Sequence, residues 1–173
     1  MASAGGPSGN DGTRAPAAPG GLTVTVLGSA GTFGHAGNPC SGYLVRSPGT
    51  TVWIDAGPGT LSALQEHVAL ADVTAIVLTH EHPDHWLELP VVRNAAKYVL
   101  GIESLPVHGT AGTLRLAEHL VDGDLAPLGW YTIADGHSTV IGDLELTFSR
   151  TDHPVETLAV GATHDGRRFA YSA

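Results

Sequence analysis

The chain has 173 residues, the length of one domain with at most a tail, and its 17 acidic against 8 basic residues give a net charge of −9. That balance argues against a broad nucleic-acid surface or a polybasic membrane anchor, since both need clustered Lys and Arg, and no uncharged apolar run has the length of a membrane span. A single cysteine, Cys40, rules out an internal disulfide, and the first residues lack the apolar core of a signal peptide, so the expected location is the cytoplasm.

Residues 1–21 hold six Gly and three Pro and almost no large apolar side chain. They cannot offset their ordering entropy and are expected to be a disordered tail, native or appended, leaving an ordered domain over 22–173. Leu22–Gly28 alternates apolar and β-branched residues and reads as a strand; Ser41–Arg46 and Thr50–Asp55 read as two more, joined by a turn at Ser47–Gly49. After the glycines and proline at 57–59 a helix is predicted, with Leu61, Leu64 and Val68 on one face and Ser62 and Gln65 at capping-box spacing. Thr74–Leu78 has the all-apolar pattern of a strand covered on both faces. A helix from about His85 into Tyr98 follows, interrupted or restarted at Pro90. Leu105–Val107 is a strand, and Thr110–Val121 is a helix with Leu114, Ala117, Leu120 and Val121 inward. Strands then run at Trp130–Ile133, Thr139–Ile141, Leu144–Ser149, Thr157–Ala162 and Arg168–Ser172, with turns at Gly142-Asp143 and Asp165-Gly166. Mixed helices and strands, with strand runs at both ends, give an α/β (α+β) class of layered sheets.

Ten His against eight Lys and Arg is the unusual figure in the composition. The chemistry concentrates in Thr79-His80-Glu81-His82-Pro83-Asp84-His85, where His80, His82, Asp84 and His85 fall within six residues directly after an apolar strand. The spacing is not the helical H-E-x-x-H pattern, and Pro83 opposes a helix through it. On a turn, His80 and His82 can converge on one ion while Asp84 and His85 face a neighbour. Imidazole nitrogen with carboxylate oxygen suits Zn²⁺, or alternatively Mn²⁺ or Fe²⁺. No Ser or Cys nucleophile with a partnered base is visible. Gly28–Gly34 lacks the Lys of a phosphate-binding P-loop and reads as a loop over the site. His35 and His108 are open between lining the pocket and surface or packing roles; His67, His119, His137 and His164 read as solvent-facing or structural. Cys40, Trp53, Trp86 and Trp130 read as packing residues, with Trp86 placed to border the pocket.

The H-x-H-x-D-H run after an apolar strand resembles the signature of the metallo-β-lactamase fold hydrolases. Val52-Trp53-Ile54-Asp55-Ala56-Gly57-Pro58-Gly59 is similar to the family's early strand with its structural Asp, and Thr151-Asp152-His153-Pro154-Val155-Glu156 to the position of its third His. The opening Val26-Leu27-Gly28-Ser29-Ala30-Gly31 and His153-Pro154-Val155-Glu156 are most similar to the branch holding ribonuclease Z and cyclic-nucleotide phosphodiesterases. The resemblance implies an αββα sandwich, of which this chain would be the N-terminal two-thirds. It implies His80, His82 and His153 on a first metal and Asp84 and His85 on a second. Asp84 would also handle a proton of the attacking water, and Asp55 would hold the His loop through hydrogen bonds.

The function so implied is a metal-dependent hydrolase, a phosphodiesterase acting on a small phosphodiester such as a cyclic nucleotide through activated water. RNA is disfavoured, because only 20 residues (173 − 153) follow His153, which leaves no room for the family's tRNA-binding arm. A ribonuclease Z-like RNA endonuclease is the further alternative. A different class of reading is a catalytically incomplete metal-binding fragment or subunit. In the family the strand resembling Phe169-Ala170-Tyr171-Ser172 continues into a Gly-Asp-Thr whose Asp bridges both metals, and a further His follows. The chain stops at Ala173, so the expectation is a truncated member with about one ion instead of two and little turnover alone. Leu158/Val160 and Phe169/Tyr171 would be left exposed or at an unpaired edge. No membrane partner is expected, and there is room for a homodimer.

Overall fold

The computed structural model describes residues 20–173; the expected tail lies, up to residue 19, outside the described residues. β1 (Thr23–Gly28), β2 (Gly42–Arg46) and β3 (Thr51–Ile54) form an antiparallel meander. β4 (Ala75–Leu78), β5 (Leu105–Gly109) and β6 (Leu128–Thr132) then add in parallel, so the six-stranded sheet runs β1 to β6 in chain order. The change of direction follows the connections. Turns and loops join the first three strands, whereas α1 (Thr60–Gln65), α2 (Leu89–Ala95) and α3 (Ala111–Leu120) carry the parallel crossovers. A second, antiparallel sheet contains β7 (Ser138–Ile141), β8 (Leu144–Arg150), β9 (Leu158–His164) and β10 (Arg167–Tyr171), in the order β10-β9-β8-β7.

Side-chain alternation on the central strands builds two cores. Trp53, Ile76, Leu78 and Val107 face the helices and pack with Leu64, Leu89, Val92 and Ala117. Their neighbours Val52, Ile54 and Val77 face the second sheet and pack with Leu146, Phe148, Leu158 and Val160. β4 is buried at all four residues because both of its faces are covered, as its unbroken apolar run predicts. The result is a helix layer, a six-stranded sheet and a four-stranded sheet, the layered arrangement expected of the sequence. The two sheets are also tied at their turns. Asp143, between β7 and β8, accepts hydrogen bonds from Ser47 Oγ, Thr50 Oγ1 (2.5 Å) and the Gly49 N–H (3.3 Å), and its own N–H donates to Thr50 Oγ1 at 2.9 Å.

Four sequence expectations change here. α1 starts at Thr60 after a left-handed Gly59, with no side-chain cap; Gln65 Nε2 donates to the Leu61 carbonyl instead of closing a capping box with Ser62. The long helix from His85 breaks into a 3₁₀ turn at Pro83–His85, then α2 with Pro90 in its first turn, then a π turn at Ala96–Leu100, because Pro can enter only where no N–H is needed. Leu120 is 54% exposed, since α3 packs through Gly112, Thr113 and Ala117 and its last turn stands clear of the core. Leu158 and Val160 are buried, not exposed: they point between the sheets, where β3 and β4 cover them. Among the described residues no helix is long and apolar enough to cross a membrane.

This layering sets opposite outcomes for two apolar residues of the second sheet. Leu158→Ala empties part of the inter-sheet core and is expected to cost about 2–5 kcal/mol. Val140→Ala, on the outer face, is expected to change stability by less than about 0.5 kcal/mol. Equilibrium denaturation in urea checks both; equal effects would contradict the inter-sheet placement of Leu158.

Candidate metal centre

The centre is built at the C-terminal end of β4. Thr79 and His80 leave the strand buried, and the chain turns through His82 and the 3₁₀ turn that carries Asp84 and His85. His153 arrives from the β8–β9 loop. That loop is held to the same strand end by a hydrogen bond from the Leu158 N–H to the Thr79 carbonyl at 3.1 Å. The ligand nitrogens of His80, His82 and His153 lie within 4.8 Å of one another. His82 Nδ1 is 3.2 Å from His80 Nε2 and 3.0 Å from His153 Nε2. Asp84 and His85 stand beside this trio as a pair. His85 Nε2 lies 3.5 Å from Asp84 Oδ2, and the His80 and His85 rings are 4.1 Å apart. Three converging imidazoles are the donor set of a catalytic Zn²⁺, so the residues fit such an ion.

Asp55 organises the pair from below. It is fully buried, at a left-handed φ of 56° that Asp tolerates better than most residues. Its carboxylate accepts from the Thr79 N–H and Oγ1, both at 2.9 Å, from His85 Nδ1 at 2.7 Å and from the Tyr171 hydroxyl at 3.0 Å. The following turn interlocks with the His segment: the Ala56 N–H donates to the His85 carbonyl at 2.7 Å, and the Glu88 N–H to the Ala56 carbonyl at 3.0 Å. Position 57 needs glycine there, because a Cβ would stand 2.1 Å from the Asp84 carbonyl oxygen.

Protonation follows from these neighbours. Burial, followed by the charges of His85, His82 and His153, pushes His80 down to about 3, so it stays neutral with a free lone pair. Burial acts against charge on His85, but the hydrogen bond and charge of Asp55, with Asp84, outweigh it and raise its pKa. Burial likewise opposes ionisation of Asp84, yet the Thr32 N–H, 2.7 Å from Oδ2, and His85 hold that carboxyl below its ordinary range. Cys40 is pushed up by burial and by Asp84, which keeps it a protonated thiol and a poor nucleophile.

Further residues shape the surroundings of the centre. Thr32, at the tip of the Gly-rich loop, pins that loop to Asp84. Glu81 sits between two candidate ligands but turns away, resting its carboxylate where Gly112 has no Cβ and lying 3.8 Å from Arg115. Trp86 is buried, and its indole N–H donates to the Glu81 carbonyl at 2.9 Å. Tyr171 reaches Asp55 from a residue 116 positions away, a contact that exists only once β10 has paired with β9. His35 is exposed on the loop, and His164 Nδ1 donates to the Asp143 carbonyl at 2.9 Å, a structural contact. An open cleft of about 680 Å³ between the loop and α1, lined by Val26, His35, Asn38, Ser62, Glu66 and His67 among others, contains none of the five candidate ligands.

Comparison with known proteins gives the same fold. The sequence profile of the metallo-beta-lactamase superfamily matches residues 35–166. The chain belongs to that superfamily. It is 27% identical over 162 residues to the probable metallo-hydrolase YhfI of Bacillus subtilis, covering 88% of this chain and 63% of YhfI. It is 32% identical over 140 residues to the ribonuclease Z of Methanopyrus kandleri, covering 79% of this chain and 48% of that enzyme. The crystal structure of YhfI superposes with a TM-score of 0.79 over 88% of this chain and 61% of YhfI. Human tRNase Z, short form, superposes with a TM-score of 0.70 at 18% identity over 87% of this chain and 68% of that one, a likeness of fold. The chain thus spans about half to under two thirds of the curated relatives' length. Its relatives thus include a probable metallo-hydrolase and a ribonuclease Z. The charge-based argument against nucleic acid finds no support, since proteins named for acting on RNA share this fold; a bound cation supplies local positive charge that a count of Lys and Arg omits.

Asp55 and His85 should make metal-free stability depend on pH. The folded pKa of His85 is raised, so the pair's contribution is fully present below the unfolded value near 6.5 and is lost as pH rises through the folded value. The stability gap between wild type and Asp55→Asn, measured by denaturant unfolding of chelated protein, is expected to be larger at pH 6 than at pH 9. A gap that grows with pH would contradict the assigned pairing.

Proposed function

We propose that this chain is the metal-binding portion of a phosphodiesterase that cleaves a small phosphodiester, such as a cyclic nucleotide, by attack of activated water. The observation that carries the reading is the convergence of His80, His82 and His153 beside the Asp84–His85 pair. His80, His82 and His153 would hold the tighter ion, Zn²⁺ in this reading, and Asp84 with His85 a second and weaker one, two protein donors against three. Divalent ions at such a site polarise a phosphoryl oxygen and lower the pKa of water. The chain's own residues do the rest. His80 stays neutral and available at neutral pH. Asp84 stays ionised beside His85, placed to take or orient a proton of the attacking water. Asp55 and the Thr79 hydroxyl fix the rings from behind. The protonated, buried Cys40 offers no competing nucleophile.

An RNA endonuclease is the second reading, favoured by the likeness to ribonuclease Z. Hydrolysis of cyclic AMP and of a short RNA by the same preparation separates the two.

His80→Ala is expected to lower bound Zn²⁺, read by elemental analysis, and to remove the thermal stabilisation that added Zn²⁺ gives wild type. Unchanged stoichiometry and melting temperature would sink the ligand assignment. Phosphodiester hydrolysis is expected to vanish on chelation and return with Zn²⁺ or Mn²⁺, followed by a colorimetric diester assay. Turnover that resists the chelator would exclude the mechanism.

A further inference from the structure

Strands β5 and β6 carry a pair of rings that the centre's chemistry does not use. His108 on β5 and Tyr131 on β6 are register partners, stacked with centroids 5.0 Å apart and planes 17° from parallel. His108 is 8% exposed, with its ring against that of Tyr131. Tyr131 is 55% exposed, and with one ring face against His108 its exposure falls on the opposite face and the edge. Residues 106 and 129, next along the same face of these strands, are a proline and a glycine, which raise no bulky wall beside the ring. A buried imidazole thus supports a tyrosine whose other face is open to solvent.

The position relates this pair to the metal centre. His108 is also the ladder partner of Val77 on β4, about 5 Å away, and Val77 precedes His80 by three residues, about 10 Å along a strand. Both rings therefore lie on the side of the sheet that faces the β8–β9 layer, toward the strand ends where His80 and His153 meet. A nucleotide spans a comparable distance from its phosphate to the far edge of its base. Burial keeps His108 below its ordinary pKa, so the stack is neutral and presents no cation. A neutral aromatic shelf selects a flat ring and not a phosphate.

We propose that Tyr131, backed by His108, is a stacking shelf for the nucleobase of the substrate whose phosphate occupies the metal centre. The inference rests on the phosphodiesterase reading and adds the substrate's second recognition element. Stacking on a single aromatic ring accepts every base, so the shelf distinguishes nucleotides from base-free phosphates and does not discriminate among bases.

The test uses the 173-residue chain loaded with Zn²⁺ and three probes: AMP, ribose 5-phosphate and a short oligoadenylate. Binding is followed by calorimetry and by the adenine H2 and H8 resonances. Wild type is expected to bind AMP about tenfold more tightly than ribose 5-phosphate, with both adenine protons shifted upfield by the tyrosine ring. Tyr131→Ala is expected to bring AMP down to the ribose 5-phosphate level while Zn²⁺ content and ribose 5-phosphate binding stay unchanged. Tyr131→Phe is expected to keep the preference. A Tyr131-dependent preference that is greater for oligoadenylate than for AMP supports the shelf and assigns the base to an RNA strand; equal preference supports it and assigns a mononucleotide. Equal affinity of wild type for AMP and ribose 5-phosphate overturns the shelf and leaves the phosphate-binding centre standing. Failure of the Zn²⁺-loaded chain to bind either phosphate overturns both.

Discussion

A carboxylate with no solvent exposure must find donors for its lone pairs inside the protein, and Asp55 draws them from three separate segments. Thr79 supplies an N–H and a hydroxyl from the end of β4, His85 a ring nitrogen from the 3₁₀ turn, and Tyr171 a hydroxyl from β10. Each donor belongs to a different part of the architecture: the helix-backed sheet, the His-rich turn and the second sheet. Removing the carboxylate would take the shared acceptor from all three segments at once. The orientation of the histidine cluster is thus coupled to the packing of the two sheets.

The surrounding turn shows how closely the backbone must approach to make that possible. Asp55 takes a left-handed conformation, and Gly57 passes so near the Asp84 carbonyl that no side chain fits. The same economy of space appears where Gly112 makes room for the Glu81 carboxylate. Small residues here are placed by contact with the His-rich turn, which gives the short run from Asp55 to Gly59 a role beyond ending a strand. The order of the strands helps as well: parallel β3, β4 and β5 present their C-terminal ends together, so residues far apart in the chain meet on one edge.

Much of the ladder was legible beforehand because burial imposes a period on the sequence. The all-apolar run of β4 announced a strand covered on both faces, and the residue types at positions 80, 82, 84 and 85 pointed to metal chemistry from their spacing. Local capping was less legible. Ser62 and Gln65 have the letters of a capping box, but the left-handed Gly59 and the Glu88 carboxylate, which accepts from the Gly59 N–H at 2.5 Å, already organise that end of the helix. Leu120 carried the helical period inward, whereas the helix leans on its small residues and lifts its last turn away.

By itself the sequence determined the type and order of most elements and the donor chemistry of the His-rich turn. These follow from side-chain periodicity and from residue chemistry within a few positions, both of which are local. Tertiary structure decided that His153 lies 3.0 Å from His82 across 71 residues, that Tyr171 completes the shell of Asp55, and that Leu158 and Val160 are core and not surface. It also decided that His108 is backed against an exposed Tyr131. These are consequences of strand register and sheet stacking. Such contacts form between residues distant in the chain, and no pattern within either segment encodes the distance between them.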